Sequence, residues 1–383
     1  MKLKYVRKYM IIVCLLITFA LTGCGEEASQ EYYDLMQDSI QDDVGIKYSN
    51  VEDIAELLND ELDKGTSGDV SIYVTKEVGE DDLRKVNYSL DTTKGYVNTI
   101  TTYSSDDSSG ELPEIRKVDF SIVRSDSLYV YDYIVKGKEI PSDKENAKKI
   151  ADVCKDFLSK NITSDMSDYD KELAIHDYIV ETTDYGVSDA GDDSEFNAYG
   201  VLVNKKAVCS GYAAAFNLLA ECSGLESIVV SGQAEDDNGV NVIQNHAWNQ
   251  VKIDGKWYNL DVTWDDPVGN AYDMITHEYF NLDDEIFLIS HSWNSEDYNK
   301  CDSMNANYYN KQGKFFSDYN AFTIFMKAEF TGALKTETEC ALKDVEITDE
   351  SLQFIYDING VTNASYTKTG TDKYCIISVY INQ

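Results

Sequence analysis

Three residues have the side-chain types that acyl-transfer chemistry needs, at spacings that can bring them together: Cys209, His246 and Asp261. Cys209 lies in Ala207-Val208-Cys209-Ser210-Gly211-Tyr212-Ala213, and the apolar run after it reads as a helix closed by Gly224. The loop before it therefore delivers Cys209 to a helix start. A helix N-terminus carries roughly half a positive charge and free N–H donors, which favour thiolate over thiol. The same N–H groups can bind the oxyanion formed when a carbonyl is attacked. Cys222, near the far end of the same helix, has no such setting and reads as inert.

The histidine and the carboxylate lie on a hairpin. Asn245 to Ile253, then Asp254-Gly255, then Lys256 to Trp264 is a strand–turn–strand pattern with a two-residue turn. Pairing Ile253 with Lys256 sets His246 opposite Thr263 and Trp248 opposite Asp261. One face then carries Ala247, Val251, Ile253, Tyr258, Leu260, Val262 and Trp264, apolar enough for a core. The other carries His246, Trp248, Gln250, Asn259, Asp261 and Thr263. His246 and Asp261 become diagonal neighbours on that face, about 7 Å apart at the backbone and within side-chain reach. A carboxylate there can accept the imidazole N–H, fix its tautomer and hold the ring for a nucleophile. Without Cys209, the same pattern would read equally well as an amphipathic hairpin.

A Cys opening a helix, His-Ala-Trp-Asn on one strand and Asp-Val-Thr-Trp-Asp-Asp-Pro ending the next resembles the transglutaminase-like superfamily of papain-type folds. The resemblance extends to Asn197-Ala198-Tyr199-Gly200-Val201-Leu202, to Tyr279-Phe280-Asn281-Leu282, and to His291 and Asn307-Tyr308-Tyr309. It covers about 168–312. It implies Cys209 as nucleophile, His246 as general base and then acid, and Asp261 as the residue that orients the imidazole. Two departures separate this chain from the animal cross-linking enzymes. Their Cys is followed by Trp, here by Ser210, and their upstream Trp, an oxyanion donor, has no counterpart before Trp248. The Cys209 N–H with Tyr199 as helper is the substitute expected. Both departures point to the bacterial branch, for which the resemblance implies peptidase-like hydrolysis at least as readily as cross-linking.

Other segments must hold these residues in place. Ser142-Asp143-Lys144-Glu145 after Pro141 reads as a capping box opening a helix, with Ala147, Ile150, Cys154 and Phe157 on its inner face. A second helix spans about 168–183, with His176 on the same face as Tyr169, Leu173 and Val180, as a satisfied core histidine would be. Val51–Leu62 has helical periodicity, and Val70–Val74, Val97–Thr102, Val118–Val123 and Leu128–Val135 read as strands. Residues 313–383 combine a helical run at Tyr319–Phe330 with a strand at Tyr374–Ile381. The acidic stretches Asp189–Glu195 and Asp236–Gly239 lack the ligand alternation of a calcium loop, and His277 and His291 have no partner at ligand spacing, so neither metal nor cofactor is expected. Five cysteines remain beyond Cys14, Cys24 and Cys209, an odd number that argues against a disulfide framework.

The N-terminus bears on location. Lys2, Lys4, Arg7 and Lys8 precede an apolar run, Met10–Leu21, too short to span a bilayer. It ends Leu21-Thr22-Gly23-Cys24, which resembles a bacterial lipobox, with Cys24 as the lipidated residue. Two acyl chains suffice for stable anchoring. With 33 Lys+Arg against 69 Asp+Glu the formal charge is −36, which argues against nucleic-acid partners and leaves the body repelled by an anionic leaflet.

The expected chain is α+β. It runs as a lipoprotein signal peptide (1–23), an acidic tether (24–50), a small N-terminal α/β domain (51–140), a transglutaminase-like catalytic domain (141–312) and a C-terminal α/β extension (313–383). In the catalytic domain a Cys at a helix N-terminus packs on an antiparallel sheet carrying His and Asp. The expected activity is amide or peptide hydrolysis through a Cys209 thioester, on an extracellular protein or peptide, by a monomer anchored on the outer face of the cell membrane. Protein-glutamine acyl transfer and a non-catalytic surface-binding module are the alternatives.

Overall fold

A computed structural model describes residues 46–383 apart from 65, 67, 87–89, 91–93, 102–114, 188–192, 237–241, 267–274, 332–335, 359 and 383. The leader, Cys24 and nearly all of the tether therefore lie outside the described residues, as do most of the two acidic stretches. The chain divides into two compact units. One holds residues up to Leu90 and Tyr96–Val123; the other holds Asp91–Gly95 and Arg124–Gln383.

In the first unit, β1 (Lys47–Tyr48), α1 (Val51–Lys64), β2 (Gly68–Thr75), α2 (Glu80–Lys85), β3 (Gly95–Thr101) and β4 (Ile115–Arg124) follow in order, the strands forming a sheet β1-β2-β4-β3. The i, i+4, i+8 set Ile54, Leu58 and Leu62 is fully buried with Val74, Val118 and Phe120. Alternation along β4 turns Val118, Phe120 and Ile122 inward. This is a one-face amphipathic helix on a sheet.

The second unit opens with a correction. Residues 128–135, expected as a strand, form α3 (Asp126–Lys136). Their Tyr/Val/Ile content favours strands, but both ends are capped as a helix. Ser125 accepts from Leu128 N, and Gly137 closes the helix at φ 67. α4 (Glu145–Asn161) also starts differently from expectation: its N-cap is Lys144, with no side-chain cap, so the Ser142 capping box does not form. Such a box does open α5 (Asp168–Thr182), between Ser167 and Asp170. Next come β5 (Asp184–Tyr185), β6 (Lys206–Ala207) and α6 (Cys209–Cys222), then β7 (Glu226–Asp236), β8 (Val242–Ile253) and β9 (Lys256–Leu260). α7 (Asp284–Phe287), β10 (His291–Ser292) and α8 (Tyr308–Lys311) follow. A last layer contains β11 (Phe315–Phe316), α9 (Tyr319–Phe330), β12 (Glu337–Lys343), β13 (Asn363–Gly370) and β14 (Tyr374–Asn382).

The central sheet has the order β10-β7-β8-β9 and is antiparallel at every pairing. Its β8–β9 register has Ile253 on Lys256 and Asn249 on Leu260, about a turn in which Asp254 and Gly255 both have positive φ, 50 and 79. That is the backbone an Asp-Gly pair favours in a two-residue hairpin. One face packs on α3 to α6 through Val251, Ile253, Tyr258 and Leu260.

The other face is not solvated, contrary to a polar-out hairpin. Trp248 joins a second core with Val230, Phe287, Ala341 and Ile376, so the C-terminal layer covers it. The polar side chains there are paired. Gln250 donates to Asn259 Oδ1 (3.2 Å) and the Asn299 carbonyl (2.8 Å), and Asn259 donates to Asp284 (2.9 Å). The six described cysteines beyond Cys24 are unpaired. Among the described residues no helix is long and apolar enough to cross a membrane.

Candidate active site

Cys209 is the first residue of α6, after Val208 in extended conformation (φ −106, ψ 178). Its N–H thus has no acceptor within its own helix. The turn is held down from below: a Cβ on Gly211 would lie 2.4 Å from the Glu195 carbonyl oxygen and 2.9 Å from Ala207 Cβ, so only glycine lets the backbone approach this closely. From the sheet, Asn249 Nδ2 donates to the carbonyls of Ala213 (3.0 Å) and Ile228 (3.3 Å), tying α6 to β7 and β8.

His246, on β8, meets the thiol. The His246 ring and the Ala247 N–H both lower the proton affinity of the Cys209 sulfur. His246 Nε2 lies 2.6 Å from Asp261 Oδ2, which leaves Nδ1 for the sulfur. Asp261 follows the last residue of β9 instead of continuing the ladder opposite Trp248, so the diagonal pairing expected from strand register is replaced by a turn. Its Oδ1 accepts from the N–H groups of Thr263 (3.0 Å) and Trp264 (3.2 Å), and its own N–H donates to the Tyr279 carbonyl (3.2 Å). That turn aims Oδ2 at the imidazole. The structure brings together the three residues singled out from the sequence, with a turn in place of the expected ladder pairing at the third.

The charges follow from burial and contact. Burial alone would push the Cys209 thiol up, but the His246 hydrogen bond and charge hold it below its usual value. Burial would lower His246, yet Asp261 and the thiolate raise it to about 10. Asp261 is fully buried and still held far below the carboxylate range by His246 and His291. The imidazole proton and the carboxylate behind it thus favour thiolate over thiol at Cys209. Such a Cys–His pair can attack an acyl carbon and return a proton to a leaving group.

Two contributions were not legible in the sequence. His291, buried on β10, places Nε2 3.1 Å from Asp261 Oδ2, with Ser290 Oγ 2.9 Å from its Nδ1. Burial lowers its proton affinity, so a neutral ring donates to the carboxylate. The turn after Asp261 is also pinned. Asp265 Oδ1 accepts from Tyr279 N (2.9 Å) and Thr276 Oγ1 (3.2 Å), while Oδ2 faces His176 Nε2 at 3.1 Å. Tyr212, one turn along α6 from Cys209, donates to Asp266 at 2.5 Å.

His176 is the satisfied core histidine expected, with Asp177 at its other nitrogen (2.9 Å); burial opposes its charge, but the two carboxylates raise it to about 9. Asp177 also meets His277 Nε2 at 2.9 Å. His176–Asp177–His277 and His246–Asp261–His291 each gather three donor atoms within 4.8 Å, which sequence spacing could not show. In both groups each ring nitrogen facing the carboxylate hydrogen-bonds it. Tyr199 is placed elsewhere: its hydroxyl accepts from Lys149 Nζ on α4 (3.1 Å), which gives the expected oxyanion role no geometric support.

Residues 155–262, a stretch holding all three of Cys209, His246 and Asp261, match the model of the transglutaminase-like superfamily. This segment is similar to a transglutaminase-like core. Two curated relatives, the kyphoscoliosis peptidases of Mus musculus and Homo sapiens, are each 26% identical to the chain over 132 residues. That match takes in 33% of this chain and 20% of each relative, so it spans about one fifth of their length. Among solved structures, a TGase is similar at 18% identity over 50% of each chain, with a TM-score of 0.24. The periplasmic domain of TgpA from Pseudomonas aeruginosa, bound to ethylmercury, is similar at 15% identity over 40% of this chain and 58% of its own, with a TM-score of 0.24. The matched stretch is mixed α and β, with the Cys-bearing helix against the antiparallel sheet.

Proposed function

We propose that this protein is a thiol hydrolase of amide or peptide bonds, anchored by a lipidated Cys24 on the extracytoplasmic face of a membrane and acting on an extracellular protein or peptide. The observation that carries the chemistry is the chain Cys209–His246–Asp261, with a 2.6 Å contact between ring and carboxylate. The Cys209 thiolate adds to the carbonyl carbon, and the C=O electron pair moves to oxygen. Collapse breaks the C–N bond as His246 Nδ1 gives its proton to the leaving amine. A thioester remains. His246, now neutral, takes a proton from water as the oxygen attacks, the C–S bond breaks, and the acid is released. Asp261 stabilises the ring whenever it is charged.

Hydrolysis is preferred over transfer to an amine because the Trp positions associated with cross-linking are lacking and because the two matched relatives are named peptidases. The test uses dimethylcasein with dansylcadaverine. Peptide or ammonia release that depends on Cys209, without dye incorporation, is expected. Stable incorporation abolished by Cys209→Ala would assign an acyltransferase, and neither outcome on a panel of surface proteins would favour a binding module. For the anchor, supported by Leu21-Thr22-Gly23-Cys24, Cys24→Ala should move the protein out of the membrane fraction.

A further inference from the structure

The oxyanion formed in that reaction needs donors, and the Cys209 N–H is one. With Tyr199 committed to Lys149, the surroundings of the thiol offer few others. Tyr212 is occupied, with its hydroxyl on the Thr183 carbonyl (3.3 Å) and Asp266 (2.5 Å). Tyr185 is different. It lies on β5, whose parallel pairing with β6 sets Tyr185 opposite Ala207, two residues before Cys209. The Gly186 N–H donates to the Ala207 carbonyl at 2.8 Å and the Asp184 N–H to the Lys205 carbonyl at 2.9 Å, which fixes that backbone beside the start of α6. Its ring centroid is 6.2 Å from that of Tyr212, a residue of the first turn of α6.

Tyr185 is also 42% exposed, open to an incoming substrate. Among the described residues its hydroxyl has no hydrogen-bond partner. Partial burial, then the Cys209 and Asp261 charges, raise its proton affinity, so the O–H stays intact as a donor at neutral pH. We infer that Tyr185 is a catalytic residue, the side-chain donor that, together with the Cys209 N–H, binds the oxyanion of the acyl substrate. The inference rests on Cys209 being the nucleophile. It also accounts for a site without the upstream Trp: a phenol on the neighbouring short strand serves where an indole N–H would.

The experiment separates carbonyl attack from simple alkylation. p-Nitrophenyl acetate acylates a thiolate through a tetrahedral oxyanion, expelling p-nitrophenolate and leaving acetyl-Cys209. Iodoacetamide alkylates the same sulfur by displacing iodide, with no oxyanion. Loss of one such donor costs about 10²–10³ in rate on ordinary substrates, and less on an activated ester. Tyr185→Phe, a conservative change at an exposed position, should therefore slow acylation at least tenfold while alkylation stays within about twofold of wild type. Unchanged acylation, or acylation and alkylation falling together, overturns the role of Tyr185. If mass mapping finds no acetyl group on wild-type Cys209, the nucleophile assignment itself fails and the inference with it.

Discussion

Replacing Asp261 with Asn removes one charge and changes little else in shape. At 2.6 Å from His246 Nε2, a full carboxylate–imidazolium attraction at an effective dielectric near 20 is about 6 kcal/mol. At about 1.4 kcal/mol per tenfold, that loss takes His246 from about 10 down to roughly 5–6. The ring is then neutral at pH 7. The Cys209 thiol loses the cation that held it down, and burial pushes it above the ordinary value. An ordinary cysteine is only about 3% thiolate at pH 7, and a thiol pushed above it less, so the reactive fraction falls about 30-fold or more. The amide of Asn would also present a donor where His246 Nε2–H needs an acceptor, favouring the wrong tautomer. The assay is the rate of Cys209 carboxamidomethylation against pH, followed by peptide mass mapping. Wild type should react down into the acidic range. Asp261→Asn should lose reactivity at pH 7 by that factor and recover it as the pH climbs past 9. Profiles that superimpose between pH 6 and 8 would refute the charge argument.

Gly211→Ala should displace the start of α6, since the added Cβ meets backbone at 2.4 Å, and should cut Cys209 alkylation at pH 7 several-fold; an unchanged rate with unchanged stability would show that the close approach is not needed. Asp265→Ala leaves the buried His176 cation with Asp177 alone and its Nε2–H unpaired, and should cost about 1–3 kcal/mol in urea unfolding, part of it restored by adding His176→Leu; no loss would mean that the pair is not charged. Glu172 is raised to about 8 by burial, with one oxygen accepting from Asn281. A carboxyl raised in the fold is at no disadvantage below about 4.5 and loses stability for the protein as pH rises toward 8. Glu172→Gln should thus gain on the order of 3 kcal/mol at pH 8 and nothing at pH 4, read from denaturant midpoints; a gain independent of pH would contradict the titration.

How much of this was legible in the residues depends on the range over which each rule acts. Asp254-Gly255 determined the hairpin and its register, because positive φ at two adjacent positions leaves few other turns. Periodicity and the glycine-closed end placed Cys209 at the first residue of its helix. These are rules acting within one turn or one strand pair. Local rules also conflict: residues 128–135 have strand-forming side chains, and their helical caps at Ser125 and Gly137 prevailed.

The tertiary structure decided what stands behind and beside those residues. Nothing near Asp261 in sequence indicates that His291, thirty positions on, lies beneath its carboxylate; β10 has to pair with β7 for that to happen. The second face of the hairpin carries Gln250 and Asn259, and the C-terminal layer buries it, so that both find partners within that packing. Tyr199 and Tyr185 are both tyrosines upstream of Cys209, with nothing in composition to separate them. A two-residue strand pairing sets one opposite Ala207, two residues before Cys209, and a lysine on α4 takes the hydroxyl of the other. Sequence determined which side chains could do the chemistry, because turn, cap and periodicity preferences are local. The fold decided which of them meet, because burial and long-range pairing depend on the whole chain.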